Sequence, residues 1–522
     1  MTVRLRKSLK RLLTFTAAAT LAGSSLLVLS SPATAQEEPT LADECSAPWD
    51  ADTVYQSGDT ANVEGIEYRA RWWTQGETPD PEEEWGVWLK TGLCDDEGLQ
   101  LERCESPWLA DTAYERGDVV NLRGTAYRAQ WWTEGQKPQS ATWDVWEEIG
   151  PCQERVNGTY YNYWSDYWPK DLIESGNVED LTHLYYAFAS PGENGECELI
   201  GENEDGVSLD HEYMVPAENA VDGVADTPDD KLRGQFGQLE KLKDRYPHLN
   251  IVLSVGGANN SDGFATAMED LESWTQSCYD LVHDPRWDGL FDGIDIDWEF
   301  PNLCHPWGNC DESGYDSIRL LMQSLRETFG DDELVTAVGP INPLPDDALE
   351  VADWAGAAEY VDYFNLVTFH YEGNWSATTS ADAAINSPTD GLDVSTSVDW
   401  YLDHDVDPGK LAIAMLPWAV VYDGVDQLEP GGEYEEFNWD MYSAPYSVAS
   451  QECADTVFDP DAVTSYCWDG YSWWSYDDTT SATAKADWAM DMGLAGVWGW
   501  DITNDDASGT LWSAVTDGLY QN

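Results

Sequence analysis

One short segment, Asp292-Gly-Ile-Asp295-Ile-Asp297-Trp298-Glu299, holds four carboxylates within eight residues. Side chains alternate along an extended chain, so Asp295, Asp297 and Glu299 share one face, and Ile294, Ile296 and Trp298 take the other. A run as apolar as Phe291 to Phe300 suits a strand buried on both faces of a parallel sheet. Three acids turned into such an interior are costly unless they do chemistry, and the chemistry open to them is general acid and base catalysis. Two carboxylates as close as Asp295 and Asp297 cannot easily both ionise, so they are expected to share a proton.

The elements that must hold these acids follow from the pattern around them. From Asn157 onward, short apolar runs alternate with longer helical patterns, as in βα units built on a parallel sheet. Strands are expected at Gly158–Tyr163, Thr182–Ala189, Asn250–Gly256, Gly289–Phe300, Glu333–Pro340, Val361–Tyr371, Leu411–Pro417 and Leu494–Trp500. Eight strands in about 365 residues predict a (β/α)8 barrel with insertions, whose chemistry lies at the C-terminal ends of the strands. Glu299, near the end of the fourth strand, then stands at the barrel's mouth.

The N-terminal part repeats itself. Cys45, Trp49, Tyr55, Gly58-Asp59, Tyr68, Trp72-Trp73, Gly76 and Pro79 recur at a constant offset of 59 residues as Cys104, Trp108, Tyr114, Gly117-Asp118, Tyr127, Trp131-Trp132, Gly135 and Pro138. A one-residue deletion then aligns Trp85, Trp88 and Cys94 with Trp143, Trp146 and Cys152. Units spanning 45–94 and 104–152 are too short for a large core, so a disulfide and stacked aromatics must stabilise a few short strands.

With 99 Asp and Glu against 25 Lys and Arg, the 522-residue chain carries a net charge of -74, which repels phosphate backbones and anionic lipid surfaces. Nucleic acid and membrane partners are excluded on that ground, and a saline habitat suits such a charge. Arg4, Arg6, Lys7, Lys10 and Arg11 precede an apolar stretch from Leu12 to Leu29 and an Ala-x-Ala site ending at Ala35, so residues 1–35 read as a secretory signal. In an exported chain the ten cysteines read as disulfides, and no Cys-x-x-Cys or His-x-x-x-His spacing argues for a metal. Proximity in sequence pairs Cys45 with Cys94, Cys104 with Cys152, Cys304 with Cys310 and Cys453 with Cys467, leaving Cys197 for Cys278. No cofactor is expected, and the chain reads as a monomer.

The motifs Tyr68-Arg-Ala-Arg-Trp-Trp-Thr-Gln-Gly76 and Tyr127-Arg-Ala-Gln-Trp-Trp-Thr-Glu-Gly135 resemble the chitin- and cellulose-binding modules of carbohydrate-binding families 5 and 12. The resemblance implies that Trp49, Trp72 and Trp73, and in the second unit Trp108, Trp131 and Trp132, stack on pyranose rings. Alternation along a strand would instead send one tryptophan of each adjacent pair into the core.

The fourth-strand acids match the Asp-x-x-Asp-x-Asp-x-Glu signature of glycoside hydrolase family 18, and Ser254-Val-Gly-Gly257 is similar to that family's second signature. The likeness runs from about Gly158 to the C-terminus and implies a TIM barrel with an α+β insertion at about 423–483, between strands seven and eight, preceded by the two all-β modules. It implies hydrolysis of β-1,4 bonds in chitin with the substrate's own N-acetyl oxygen as nucleophile. Glu299 would be the general acid and later the base, Asp297 would bind the acetamido N–H, and Asp295 would lie beneath. Trp500 would floor the sugar site, with Phe188 and either Tyr160 or Tyr161 as its wall.

Some positions depart from the resemblance. The sixth strand reads Val367-Thr368-Phe369-His370 where Met-Thr-Tyr-Asp is expected, so the tyrosine that donates to the acetamido oxygen is missing. Tyr371, on the same side of an extended strand as Phe369, would supply a hydroxyl in its place, and a protonated His370 would alter the pH profile; alternatively Phe369 only packs, a water serves the acetamido group and Tyr371 lines an outer subsite. Ala258 replaces a tryptophan after Gly257, and strand seven has Pro417-Trp418-Ala419-Val420-Val421 for Pro-x-Tyr-Gly-Arg. Two other readings use the same residues. One is a non-catalytic chitin-binding, lectin-like protein, favoured by the losses at 369 and 370. The other is an endo-β-N-acetylglucosaminidase acting on N-glycan cores, against which the tandem modules argue.

Overall fold

The computed structural model describes residues 45–63, 65–80, 86–95, 98–101, 103–139, 145–201, 207–303, 310–341, 348–389 and 391–520. The expected signal at residues 1–35 lies outside them, as do Trp85 and Trp143.

Eight parallel strands close on themselves: β1 (Val156–Asn162), β2 (His183–Ser190), β3 (Asn250–Gly256), β4 (Gly293–Asp297), β5 (Leu334–Gly339), β6 (Tyr363–Leu366), β7 (Leu411–Ala414) and β8 (Gly496–Gly499). β1 pairs with both β2 and β8, which completes the barrel. Every expected strand is present, but the fourth and sixth are shorter than their apolar runs. β4 starts at Gly293, where a Cβ would lie 2.0 Å from the Leu334 carbonyl oxygen, so glycine alone lets β4 approach β5 that closely. β6 stops at Leu366, and His370 further on takes a φ of 66°, which ends the strand alternation assumed for Phe369 and Tyr371.

Two apolar layers hold the barrel. Inside it, Tyr160, Tyr185, Val252, Tyr363 and Trp498 fill the interior, and the Tyr185 and Tyr363 hydroxyls satisfy each other at 2.7 Å. Outside it, Leu253, Ile294, Ile296 and Trp298 pack against helices such as Ser317–Phe329, which turns Ile318, Leu321, Met322 and Leu325 inward.

Between β7 and the helix Thr479–Asp491, an antiparallel sheet is inserted, and it begins at Trp418. Its strands run Glu436–Phe437, Trp418–Asp423, Ser472–Ser475, Thr464–Trp468 and Val457–Asp459 in spatial order. The insertion is fastened to the barrel by a buried ion pair, Lys485 Nζ to Asp477 Oδ2 at 2.6 Å. The same carboxylate oxygen accepts the Leu416 N–H at 2.8 Å.

Each N-terminal unit is a small antiparallel sheet with a separate two-stranded antiparallel pairing, Val54–Tyr55 with Thr74–Gln75 in the first and Ala113–Tyr114 with Thr133–Glu134 in the second. Tyr55 meets Trp88 edge-on at 4.9 Å in the first, and Tyr114 meets Trp146 at 5.3 Å in the second. Disulfides join Cys104 to Cys152, Cys197 to Cys278 and Cys453 to Cys467. Cys45 and Cys310 are also disulfide-bonded, and the side chains of Cys94 and Cys304 lie outside the described ones.

Candidate active site

β4 delivers its acids as its alternation dictates. Asp295 is fully buried; its Oδ1 accepts from the Thr336 hydroxyl of β5 at 2.7 Å. Its Oδ2 accepts from Tyr160 of β1 at 2.8 Å and from Ser254 of β3 at 2.7 Å. Burial raises the Asp295 carboxyl above its ordinary range, and the three hydroxyl donors oppose that shift.

Asp297, one step nearer the mouth, is raised well above the carboxylate range, first by burial and then by the charges of Glu299 and Asp295. Its Oδ1 is buried and accepts no hydrogen bond. Glu299 is half-buried, and burial lifts it to about 7 although a side-chain hydrogen bond from Asp297 pulls the other way. Burial thus raises both mouth-side carboxyls, and the nearness of Glu299 adds to the shift at Asp297. The hydroxyls around Asp295 satisfy both of its oxygens, so the carboxylate expected to share a proton with Asp297 has three donors of its own.

Trp298, on the opposite face, anchors the strand end by donating to Asp311 Oδ2 at 3.1 Å and stacking on Phe264 at 4.9 Å. The Glu299 N–H donates to the Ser261 hydroxyl at 3.2 Å. Above the acids opens a cleft of about 590 Å³. The Trp500 and Phe188 rings lie nearly parallel along it, 5.7 Å apart and 12° from coplanar, and Trp164 extends the stack from Phe188 at 6.0 Å. Tyr160, Phe369, Trp418 and Trp498 line its deeper part. Such flat apolar surfaces suit the C–H faces of pyranose rings.

Tyr160 is therefore the first-strand aromatic of the cleft. Tyr161 points the other way and donates to Gln235 Oε1 at 2.6 Å, outside the barrel, because β1 alternates faces. Phe369 lies in the cleft, 4.8 Å from Trp418. Tyr371 does not reach it: its hydroxyl is buried against Ser397 Oγ at 2.8 Å. The positive φ of His370 turns the chain, and Asp382 accepts the N–H groups of His370 (3.0 Å), Tyr371 (2.8 Å) and Glu372 (3.3 Å) to hold that turn. The expected hydroxyl replacement by Tyr371 is thus overturned. The groups in its place are His370 and Tyr442, whose hydroxyl lies 3.3 Å from His370 Nδ1. Burial pushes the His370 imidazole below its usual pKa, against the Asp382 charge, which disfavours the protonated form expected for it.

Trp72, Trp73, Trp131 and Trp132 are exposed by 49%, 59%, 47% and 55%. Both members of each pair face solvent because they sit in a bend between strands, where alternation does not apply. Trp108 is a correction: at 3% exposure it belongs to the core of its module beside Val120 and Trp146. Trp49 is half-buried on the corresponding core. Trp164, Trp418, Trp498 and Tyr442 were not expected in the cleft. Trp498 shares its strand face with Trp500 and was legible in that spacing, whereas Tyr442 comes from the insertion with no sequence signal.

Paired acids at the mouth of a (β/α)8 barrel, under a trough of stacked aromatics, define a glycoside hydrolase site. Residues 157–505 match Glycosyl hydrolases family 18, and residues 48–89 and 107–147 each match Carbohydrate-binding module family 5/12. The chain belongs to glycoside hydrolase family 18 and has two carbohydrate-binding modules before its barrel. It is 34% identical to Chitinase C of Streptomyces lividans over 437 residues, covering 77% of this chain and 69% of the relative. Chitinase 63 of Streptomyces plicatus is also 34% identical, with 78% of this chain and 71% of the relative covered. The solved catalytic domain of a psychrophilic chitinase B from Arthrobacter TAD20 shares the fold, with a TM-score of 0.61 at 23% identity over 70% of this chain and 96% of that one.

Proposed function

We propose that the protein is a secreted chitinase, acting as a single chain, that hydrolyses β-1,4 bonds between N-acetylglucosamine units with retention of configuration. The observation that carries the mechanism is the buried Oδ1 of Asp297, which accepts no hydrogen bond; the two raised carboxyls, Asp297 and Glu299, are taken to enter the reaction with one proton between them.

An N-acetylglucosamine ring laid on Trp500 brings its 2-acetamido group down toward Asp297. Asp297 accepts the amide N–H, which turns the acetamido oxygen toward the anomeric carbon. Glu299 gives its proton to the glycosidic oxygen as the C–O bond breaks, and the acetamido oxygen closes on the anomeric carbon to form an oxazolinium ion. Because the pair's one proton has left on the glycosidic oxygen, Asp297 is then negative and stabilises that cation. Glu299, now a carboxylate, takes a proton from water, which opens the ring on the face the leaving sugar left. Two inversions give net retention.

The basic-then-apolar sequence of residues 1–35, read as a secretory signal, and the disulfides support an extracellular site of action. A lectin-like reading has one observation in its favour, the absence of a hydroxyl at Phe369. The retained acids weigh against it, because a binder needs no general acid. Incubation with colloidal chitin decides: release of short oligosaccharides whose first-formed anomer is β by proton NMR supports the proposal. Binding without release would leave the lectin reading, and an α product would refute the substrate-assisted path.

A further inference from the structure

In a chain with only 25 basic residues, several are placed at the seams between the modules and the barrel. Arg69 and Arg71 of the first module meet Glu148 and Glu147 of the second at 2.9 and 3.2 Å. Arg123 of the second module reaches the N-terminal end of the barrel. Its Nη1 donates to Asp292 Oδ1 at 2.6 Å, its Nε to the Pro247 carbonyl at 2.9 Å and its Nη2 to the Leu249 carbonyl at 3.2 Å. Asp292, the first acid of the fourth-strand motif, also binds Lys243 Nζ at 2.8 Å and the Ile251 N–H at 2.9 Å. It therefore closes the base of the barrel and takes no part in the cleft.

The connecting segment is seated too. Glu154 Oε2 accepts from Asn250 Nδ2 at 3.1 Å, and the Arg155 guanidinium donates to the Leu519 carbonyl and lies 4.7 Å from the Tyr520 ring centroid. Arg103, just before the second module, reaches the Met490 sulfur of the helix Thr479–Asp491 at 3.7 Å.

Backbone and repeat make the same point as the contacts. Arg123 occupies the first position of a two-residue hairpin, Arg123-Gly124, with φ of 51° and 69°. Glycine, asparagine and aspartate favour that position, so a long cationic side chain there is locally unfavourable. The aligned residue of the first module is Glu64. Likewise Glu147 and Glu148 align with Leu89 and Lys90, and Arg71 with Gln130. The two copies differ where each touches a different neighbour.

We propose that the second module is docked on the barrel through Arg123, and that the first is clamped to the second. The tryptophan pairs Trp72-Trp73 and Trp131-Trp132 are then carried at a set distance and angle from the cleft. Each reaches insoluble polysaccharide as part of one rigid body, without the loss of effective concentration that a floppy tether brings. Only this last step rests on the chitinase reading; the docking does not.

Small-angle scattering of the full chain tests it with Arg123→Glu, which sets two carboxylates against each other, and Arg123→Asn, which suits the turn and removes only the contact. The wild type is expected to scatter as one compact particle with the docked dimensions, and both variants to show a larger radius of gyration and maximum dimension. Hydrolysis of a soluble N-acetylglucosamine trimer stays within about twofold of wild type, while hydrolysis of crystalline chitin falls about threefold or more. A wild type already as extended as the variants, or variants that scatter like the wild type, would overturn the docking. A wild type inactive on the trimer would remove the chitinase reading and leave the scattering result to decide the docking.

Discussion

Tyr160 of β1 donates to Asp295 of β4 at 2.8 Å, and Ser254 and Thr336 complete that carboxylate's donors, while Asp297 one step nearer the mouth has a buried Oδ1 that accepts no hydrogen bond. Similar acids on one strand thus differ in what satisfies them. Their surroundings set the difference: hydroxyls from β1, β3 and β5 converge on Asp295 alone.

Replacing Glu299 by glutamine keeps the shape and removes the transferable proton. Turnover of chito-oligosaccharides is expected to fall by about 100-fold to 10,000-fold, with chitin binding in a pull-down unchanged. A variant retaining more than about a tenth of wild-type turnover contradicts the assignment.

Glu299 holds its proton up to about 7, against an ordinary value of 4.5. As general acid it must enter the reaction protonated, so kcat/KM is expected to fall as pH rises through about 7. Folding follows the same sign: a raised carboxyl stabilises the native state most at low pH, and that contribution is lost as pH climbs from 4.5 towards 7. Thermal melts of wild type and Glu299→Gln over that interval should show the wild type losing Tm relative to the variant as pH rises. A constant difference would rule out the titration.

Exposed and buried tryptophans should separate under mutation. Changing Trp131 and Trp132 to alanine is expected to leave the second module's melting temperature almost unchanged and to weaken retention on chitin. Trp108→Ala, which empties a buried site, should cost about 3 to 5 kcal/mol. Denaturant unfolding beside a chitin-binding assay compares the two.

For Tyr371 the expectation is a structural loss only. Tyr371→Phe removes the hydrogen bond to Ser397 and should cost about 1 kcal/mol in stability with kcat unchanged. Tyr442→Phe takes a hydroxyl out of the cleft and should raise KM or lower kcat on the trimer. Equal kinetics for Tyr442→Phe and wild type would place Tyr442 outside the sugar's reach.

The Lys485–Asp477 pair is buried on both sides. Lys485→Met strands a carboxylate in the interior and should destabilise the chain by about 3 to 5 kcal/mol. Denaturant melts check the loss, and Lys485→Met with Asp477→Leu should recover part of it.

The period-two alternation of a strand was enough to place Asp295, Asp297 and Glu299 on one inner face, because that geometry belongs to the backbone itself. The eight barrel strands and the repeated modules were legible for a similar reason: both leave local, periodic patterns. Three matters depended on residues far apart in sequence. Tyr160 and Tyr161 differ only in which one faces the barrel's inside, and that requires the closure of β1 onto β8. Tyr371 leaves the cleft because Asp382 holds a turn at His370 that no strand pattern announces. Asp295 has its oxygens satisfied because Tyr160, Ser254 and Thr336 reach it across 135, 41 and 41 residues of chain. Spacing along one strand determines which side chains are neighbours. Only the closed barrel decides which donors reach each carboxylate, because the hydrogen bonds that satisfy them span the sheet.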